Sequence, residues 1–137
     1  MATEPEYDPR YLAGIDCFNR HEFFEAHEVW EELWLDCPSA DRRFYQSLIQ
    51  AAVALYHWSN GNARGTSRLF RSGRAYMSAY ADPHRGLATG EFWEAMATAV
   101  AETSTESPPA TGKRLDPRLV PRITLMDHEN SVFIPWG

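Results

Sequence analysis

Ser47 to Tyr56 reads S-L-I-Q-A-A-V-A-L-Y, and at about 100° per residue its apolar side chains fall on nearly every side of a helix. Such a helix must be covered from several directions, so the run predicts a central, buried helix in an all-α bundle. Gln50 lies inside the run and His57 follows two turns later. Buried amide and imidazole groups cost about 1–3 kcal/mol each when unbonded. The run therefore asks for helices on several sides and for polar partners facing Gln50 and His57.

The punctuation around this run divides the chain into about five helices. Asp8-Pro9 is a strong start, with Asp as cap and Pro at the first helical position, and a short first helix is expected to about Cys17. Asn19 reads as the cap of a second helix. Glu22 sits three residues on, and Phe18 and Phe23 are spaced as a hydrophobic staple. Pro38 stops that helix near Asp36. Ser39 then caps a third, running to about Ser59. Gly61 ends it in the left-handed conformation, and Asn62 caps a fourth that extends to about Tyr80. Asp82-Pro83 breaks the fourth, and Thr89 or Gly90 opens a fifth.

The resulting expectation is one domain over residues 1–137: a compact multihelical core over about 8–103, a loop over 104–118 and an arm over 119–137. The arm carries two β-like runs, R-I-T-L and S-V-F-I, which predict an extended or hairpin-like tail packed on the bundle.

Composition narrows the class. With 137 residues, 44% hydrophobic and 13% aromatic, the chain can build a core without disulfide or metal staples. Cys17 and Cys37 form no C-x-x-C pair and read as thiols in a reducing compartment. No apolar run reaches the roughly 20 residues of a membrane span, and the acidic first ten residues lack the apolar region of a signal peptide. The expected setting is the cytoplasm, with no membrane contact. Net charge is −6, yet all basic residues but Lys113 are arginine. An acid-rich, lysine-poor chain fits a salt-rich cytoplasm or a GC-rich genome, and its charge argues against nucleic-acid binding.

Phe18 to Trp34 concentrates the residues able to do chemistry. It holds five glutamates, two histidines and five large aromatics in seventeen residues. On the second helix, Phe23, Ala26, Trp30, Leu33 and Trp34 make an apolar face that includes His27, with Glu31 at its edge. His21, Glu25, Glu28 and Glu32 form a stripe on the opposite side, where like charges at helical spacing repel. On the third helix Arg43, Gln46, Gln50 and His57 align. If helices two and three form a hairpin, the glutamates are natural partners for them. The expected site is then an internal polar pocket of Glu25, His27, Glu28, Glu31, Glu32, Arg43, Gln46, Gln50 and His57, with Asn62 nearby. Helix four carries Arg64, Arg68 and Arg71 at i, i+4, i+7: a solvated face, an anion site or a contact for an acidic partner surface.

The segment F-N-R-H-E-F-F-E-A-H-E with Glu31 and Trp34, and the later Arg42 or Arg43, Gln46, L-I-Q over 48–50, Ala52, Ala54, Tyr56, His57, Gly61, Asn62 and Gly65, resemble the uncharacterised domain-of-unknown-function family 309. The resemblance covers about residues 8–80. Ser47 departs from it where the family commonly has Gly, and Thr66 where Ala often follows the Gly. It implies a compact all-α domain and brings no established activity, so whether the chain is an enzyme stays open.

Three functions compete. The first is a non-catalytic interaction or scaffold module with a buried Glu/His/Gln cluster that fixes helix register, and with surplus aromatics such as Trp58 and Trp93 forming a surface for self-association into a homo-oligomer or for another partner. The second is a divalent metal or small ligand held by Glu25, Glu28, Glu32 and His57, with water activated for hydrolysis. Neither H-E-x-x-H nor a paired E-x-x-H supports it. The third is anion or nucleic-acid contact through Arg64, Arg68, Arg71, Arg74 and Arg85, with Tyr76 and Tyr80 nearby.

Overall fold

The computed structural model describes residues 7–37, 40–104 and 112–126. Five helices account for most of them: α1 (Pro9–Asn19), α2 (Phe23–Asp36), α3 (Arg42–Ser59), α4 (Ala63–Met77) and α5 (Thr89–Ala99). Short 3₁₀ turns span Ala101–Ser104 and Pro117–Leu119. Among the described residues there is no strand, and a lone bridge joins His84 and Leu87. The fold is an all-α bundle.

Local chemistry sets most boundaries as expected. The Asp8 carboxylate accepts from the Arg10 backbone N–H at 2.8 Å, with Pro9 in the first turn. Gly61 takes φ +79°, and the Asn62 side chain accepts from the Gly65 N–H at 3.0 Å. The elbow between α1 and α2 differs. Helix α1 continues through Asn19, the turn falls on Arg20–Glu22, and His21 takes φ +64°. Glu22 stands at the cap position of α2 without a side-chain capping bond, its carboxylate accepting from Arg20 instead. Asn19 is not a cap because its amide is engaged elsewhere: Nδ2 donates to the Ile123 carbonyl at 2.9 Å, and Oδ1 accepts from the Ile123 N–H at 2.8 Å. Two bonds to a part-buried peptide outweigh the single bond a cap would make. Phe18 and Phe23 still meet edge-on at 5.5 Å. Ser39 lies outside the described residues, and Asp41 directly precedes α3.

Trp30 is fully buried where α1 crosses α2. Its Nε1 donates to the Tyr11 carbonyl at 3.1 Å, and a Cβ on Gly14 would stand 2.1 Å from that nitrogen. Only a bare backbone leaves room for the indole. Helix α3 buries Phe44, Tyr45, Leu48, Ala51, Ala52, Leu55 and Trp58. Its contact with α4 is close: a Cβ on Gly73 would come within 3.3 Å of the Ser47 carbonyl. Ser47 and Thr66, the two departures from the family pattern, both lie buried in this contact. The Ser47 hydroxyl donates to the Gly73 carbonyl at 2.8 Å and the Thr66 hydroxyl to the Ala54 carbonyl at 3.1 Å, so each added polar atom is satisfied. Trp58 and Trp93 are also core residues, each 3% exposed, which corrects their expected place on a surface.

The loop after α4 is tied to the start of α3 by ions. Buried Asp41 accepts from His84 Nε2 at 2.8 Å and from Arg85 Nε at 2.7 Å. The Tyr11 hydroxyl holds the Arg85 carbonyl at 2.9 Å, and the His84 ring lies against Phe44 and Tyr80. Burial pushes the Asp41 carboxyl upward in pKa. The His84 and Arg85 hydrogen bonds together outweigh that, so it ends below its ordinary 3.8. The segment 112–126 lies along the bundle, interrupted by the 3₁₀ turn at Pro117–Leu119. Leu115 N–H donates to the Trp58 carbonyl at 3.1 Å, Met126 N–H to the Gly86 carbonyl at 2.7 Å, and Ile123 is buried. The R-I-T-L run is therefore an extended arm with no strand partner among the described residues, and the S-V-F-I run lies outside them.

Two stability predictions follow from the core and the clamp. Gly14→Ala should cost about 1–3 kcal/mol by overpacking against Trp30, read from the midpoint of a denaturant melt; an unchanged midpoint would mean the crossing is looser than drawn. The second concerns acid. A carboxyl depressed in the folded state stabilises above its unfolded pKa and loses that contribution as pH falls through the folded one. Asp41→Asn should therefore be less stable by about 1–3 kcal/mol near pH 6. Its stability should also fall less steeply than the wild type's between about pH 5 and pH 2. Parallel pH profiles for the two proteins would refute this account of the clamp.

Candidate functional site

Helix α3 is covered on most sides but not all. Arg42, Gln46, Ile49, Gln50, Val53 and His57 are each half-buried, at i, i+4, i+7, i+8, i+11 and i+15. That spacing is one continuous stripe along the length of α3. The expected central, buried helix is thus open along one line: α2 and α4 flank α3 and leave a strip of it uncovered between them.

Both flanking helices run antiparallel to α3. On one side the Arg42 guanidinium lies 4.0 Å over the Trp34 ring, and at the other end Phe24 and Tyr56 are 5.5 Å apart. On the other side Arg43 stacks 4.6 Å over Tyr76, Ser72 Oγ donates to Gln50 Oε1, and Asn62 Nδ2 stands 3.5 Å from His57 Nδ1. Phe24 and Tyr56 are exposed at 45% and 38%. They line a cleft of about 510 Å³ together with His21, Glu25 and Ser59. The Trp34 Nε1 and Arg42 Nε donors are buried and find no acceptor among the described residues.

The expected internal pocket is not formed. Glu25, Glu28, Glu31 and Glu32 are all exposed, and none bonds Arg43, Gln50 or His57. The reason is rotational. Helix α2 turns Phe23, Ala26, Trp30 and Leu33 inward, so α3 meets its flank at Phe24 and Trp34 rather than at the glutamate stripe. His27 Nδ1 lies 3.1 Å from the Phe24 carbonyl, and its Nε2 is 3.9 Å from Glu31. Gln50 and His57 find their partners on and before α4 instead. Gln46 is half-buried on the open strip and Asn62 is exposed at the start of α4.

The proposed metal ligands also separate. Glu25, Glu28 and Glu32 face solvent from α2 while His57 faces Asn62, and among the described residues no three His, Cys, Asp or Glu side chains are placed to hold a metal ion. Arg64, Arg68 and Arg71 are exposed, and Arg71 donates to Ser67 Oγ at 2.8 Å. Arg74 and Arg85 do not extend that row, because they pair with Glu94 at 2.9 Å and with Asp41. Burial raises the Cys17 thiol in pKa. Among the described residues no helix is long and apolar enough to cross a membrane.

The arginine–aromatic stacks that bound the strip were absent from the sequence expectation. Arg42 and Arg43 open α3, where the helix dipole disfavours cations. That misplacement was the available signal that other groups hold them.

The segment that carries this face is similar to known proteins. The family model described as a domain of unknown function (DUF309) matches residues 11–69, from α1 to the middle of α4. The chain is 35% identical over 92 residues to the uncharacterized protein YpuF of Bacillus subtilis (strain 168), covering 63% of this chain and 51% of that protein. It is 32% identical over 76 residues to an uncharacterized protein of Aquifex aeolicus (strain VF5), covering 55% of this chain and 23% of that one. The chain therefore spans about half the length of the first relative and about a quarter of the second. Residues 11–69 carry the hairpin of α2 and α3 with the open strip, and that segment is what the chain shares with the DUF309 family model.

Proposed function

We propose that the chain is a non-catalytic interaction module whose binding surface is the open strip of α3 with the flanks of α2 and α4. The observation that carries this reading is the exposure pattern of α3. A helix apolar nearly all round keeps six residues half-open along one line, bordered by the exposed aromatics Phe24 and Tyr56. A partner laid along that line would bury Ile49, Val53, Phe24 and Tyr56, at about 25 cal/mol per Å² of apolar area. Gln46, Gln50 and the stacked Arg42 and Arg43 supply direction. Arginine and aromatic side chains are the groups that dominate binding energy at protein interfaces. The metal or small-ligand alternative has less support, because its carboxylates and His57 sit on separate surfaces. The free Cys17 thiol fits the reducing, cytoplasmic setting in which we place the module.

In-cell photo-crosslinking tests the surface without naming a partner. A benzoylphenylalanine at Gln50 should give a discrete adduct, the same probe at exposed Thr98 on α5 should not, and Val53→Arg should suppress the Gln50 adduct. Equal patterns from Gln50 and Thr98, or no adduct at Gln50, would falsify the assignment.

A further inference from the structure

The two helices beside the open strip carry opposite charge. Helix α2 holds Glu25, Glu28, Glu31, Glu32 and Asp36 and no lysine or arginine, while α4 holds Arg64, Arg68, Arg71 and Arg74 and no acid. Within each helix one row stands out: Glu25, Glu28 and Glu32, and Arg64, Arg68 and Arg71. All six are exposed, and among the described residues none makes an ion pair. Each row repels itself at helical spacing, so each is unfavourable until an opposite row faces it.

The rows also match in direction and length. Because α2 and α4 are both antiparallel to α3, they run parallel to each other. Glu25 and Arg64 both lie toward the Tyr56–His57 end, as the Phe24–Tyr56 and Asn62–His57 approaches show. Each row covers two turns, about 10 Å. A two-fold rotation about an axis parallel to α3 would carry the acidic row of one copy onto the basic row of another, and the converse at the other edge. It would set the two open strips against each other at the centre.

We infer that the partner seated on this face is a second copy of this chain, related by that axis; the inference rests on the surface assigned under Proposed function. The contact is isologous and closes at two copies. Gln46, Gln50 and Val53 meet their own counterparts in the middle, and the charged rows fix orientation at the rim, where such pairs contribute more to specificity than to raw affinity. Joining copies side by side, acidic edge to basic edge, would instead leave one row of each sign free at the ends and grow without limit.

Charge exchange tests this directly. The wild type should sediment at twice the 15.7 kDa of the chain at about 100 µM, a concentration well above a micromolar dissociation constant. One triple variant replaces Arg64, Arg68 and Arg71 by Glu, the other replaces Glu25, Glu28 and Glu32 by Arg. Each should weaken self-association on the order of a hundredfold, since like rows then meet at both edges. Mixing the two should restore a dimer, because one copy is acidic and the other basic at both edges. Thermal melts of the separate variants show whether they are folded, and recovery on mixing can come only from chains that are. A monomeric wild type, an open-ended polymer, a dimer indifferent to either triple variant, or two folded variants that stay monomeric when mixed overturns the inference. A monomer that still gives a Gln50 adduct with another protein overturns it while leaving the assigned surface intact; a dimer with no Gln50 adduct overturns both.

Discussion

The indole of Trp30, laid against the bare backbone of Gly14, is the contact on which the rest of the bundle is hung. It brings α1 and α2 as close as two backbones and one ring allow, and its N–H is spent on the Tyr11 carbonyl, so no polar atom is stranded in the crossing. Tyr11 in turn leans on Phe44 and Tyr45 of α3, and Phe18 reaches both Trp30 and Phe92 of α5. The orientation of α2 is thereby fixed from below. With Phe23, Ala26, Trp30 and Leu33 turned inward, the outward row of glutamates has no remaining freedom: it must face solvent or another molecule.

That orientation explains what could be read from the chain and what could not. Asp8, Pro9, Gly61 and Asn62 act on their own backbone within a few residues, so their roles were legible. Asn19 satisfied the same local pattern but lost to a distant competitor, the peptide of Ile123, which no local rule can see. The faces of α2 were sorted correctly relative to one another, since periodicity gives angles. Which face meets which neighbour is a tertiary fact, and there the glutamates were assigned to the wrong side. Trp58 and Trp93 erred in the same way: aromatic surplus says nothing about where the surplus is buried.

The candidate site was half legible for a related reason. Gln50 and His57 were expected to require partners, and they have them, but in Ser72 and Asn62 rather than in glutamates. What survives is a surface organised by sign, acidic on one flank and basic on the other, with amides, aliphatics, His57 and the stacked Arg42 between. Such an arrangement is poorly suited to gathering ligands around one atom and well suited to orienting a long, flat contact.

The attachment of the arm through Asn19 has a consequence of its own. One side-chain amide saturates both backbone groups of Ile123, as a neighbouring strand would, but for a single residue. Ile123 is buried while Arg122 and Thr124 are exposed. Sliding the arm by one residue would break both bonds and push a guanidinium or a hydroxyl where an isoleucine belongs. No intermediate register is available, so the arm cannot creep along the bundle. It is docked in one position or it is off, and when it is off the last residue of α1 regains an unemployed amide at the elbow where α2 begins.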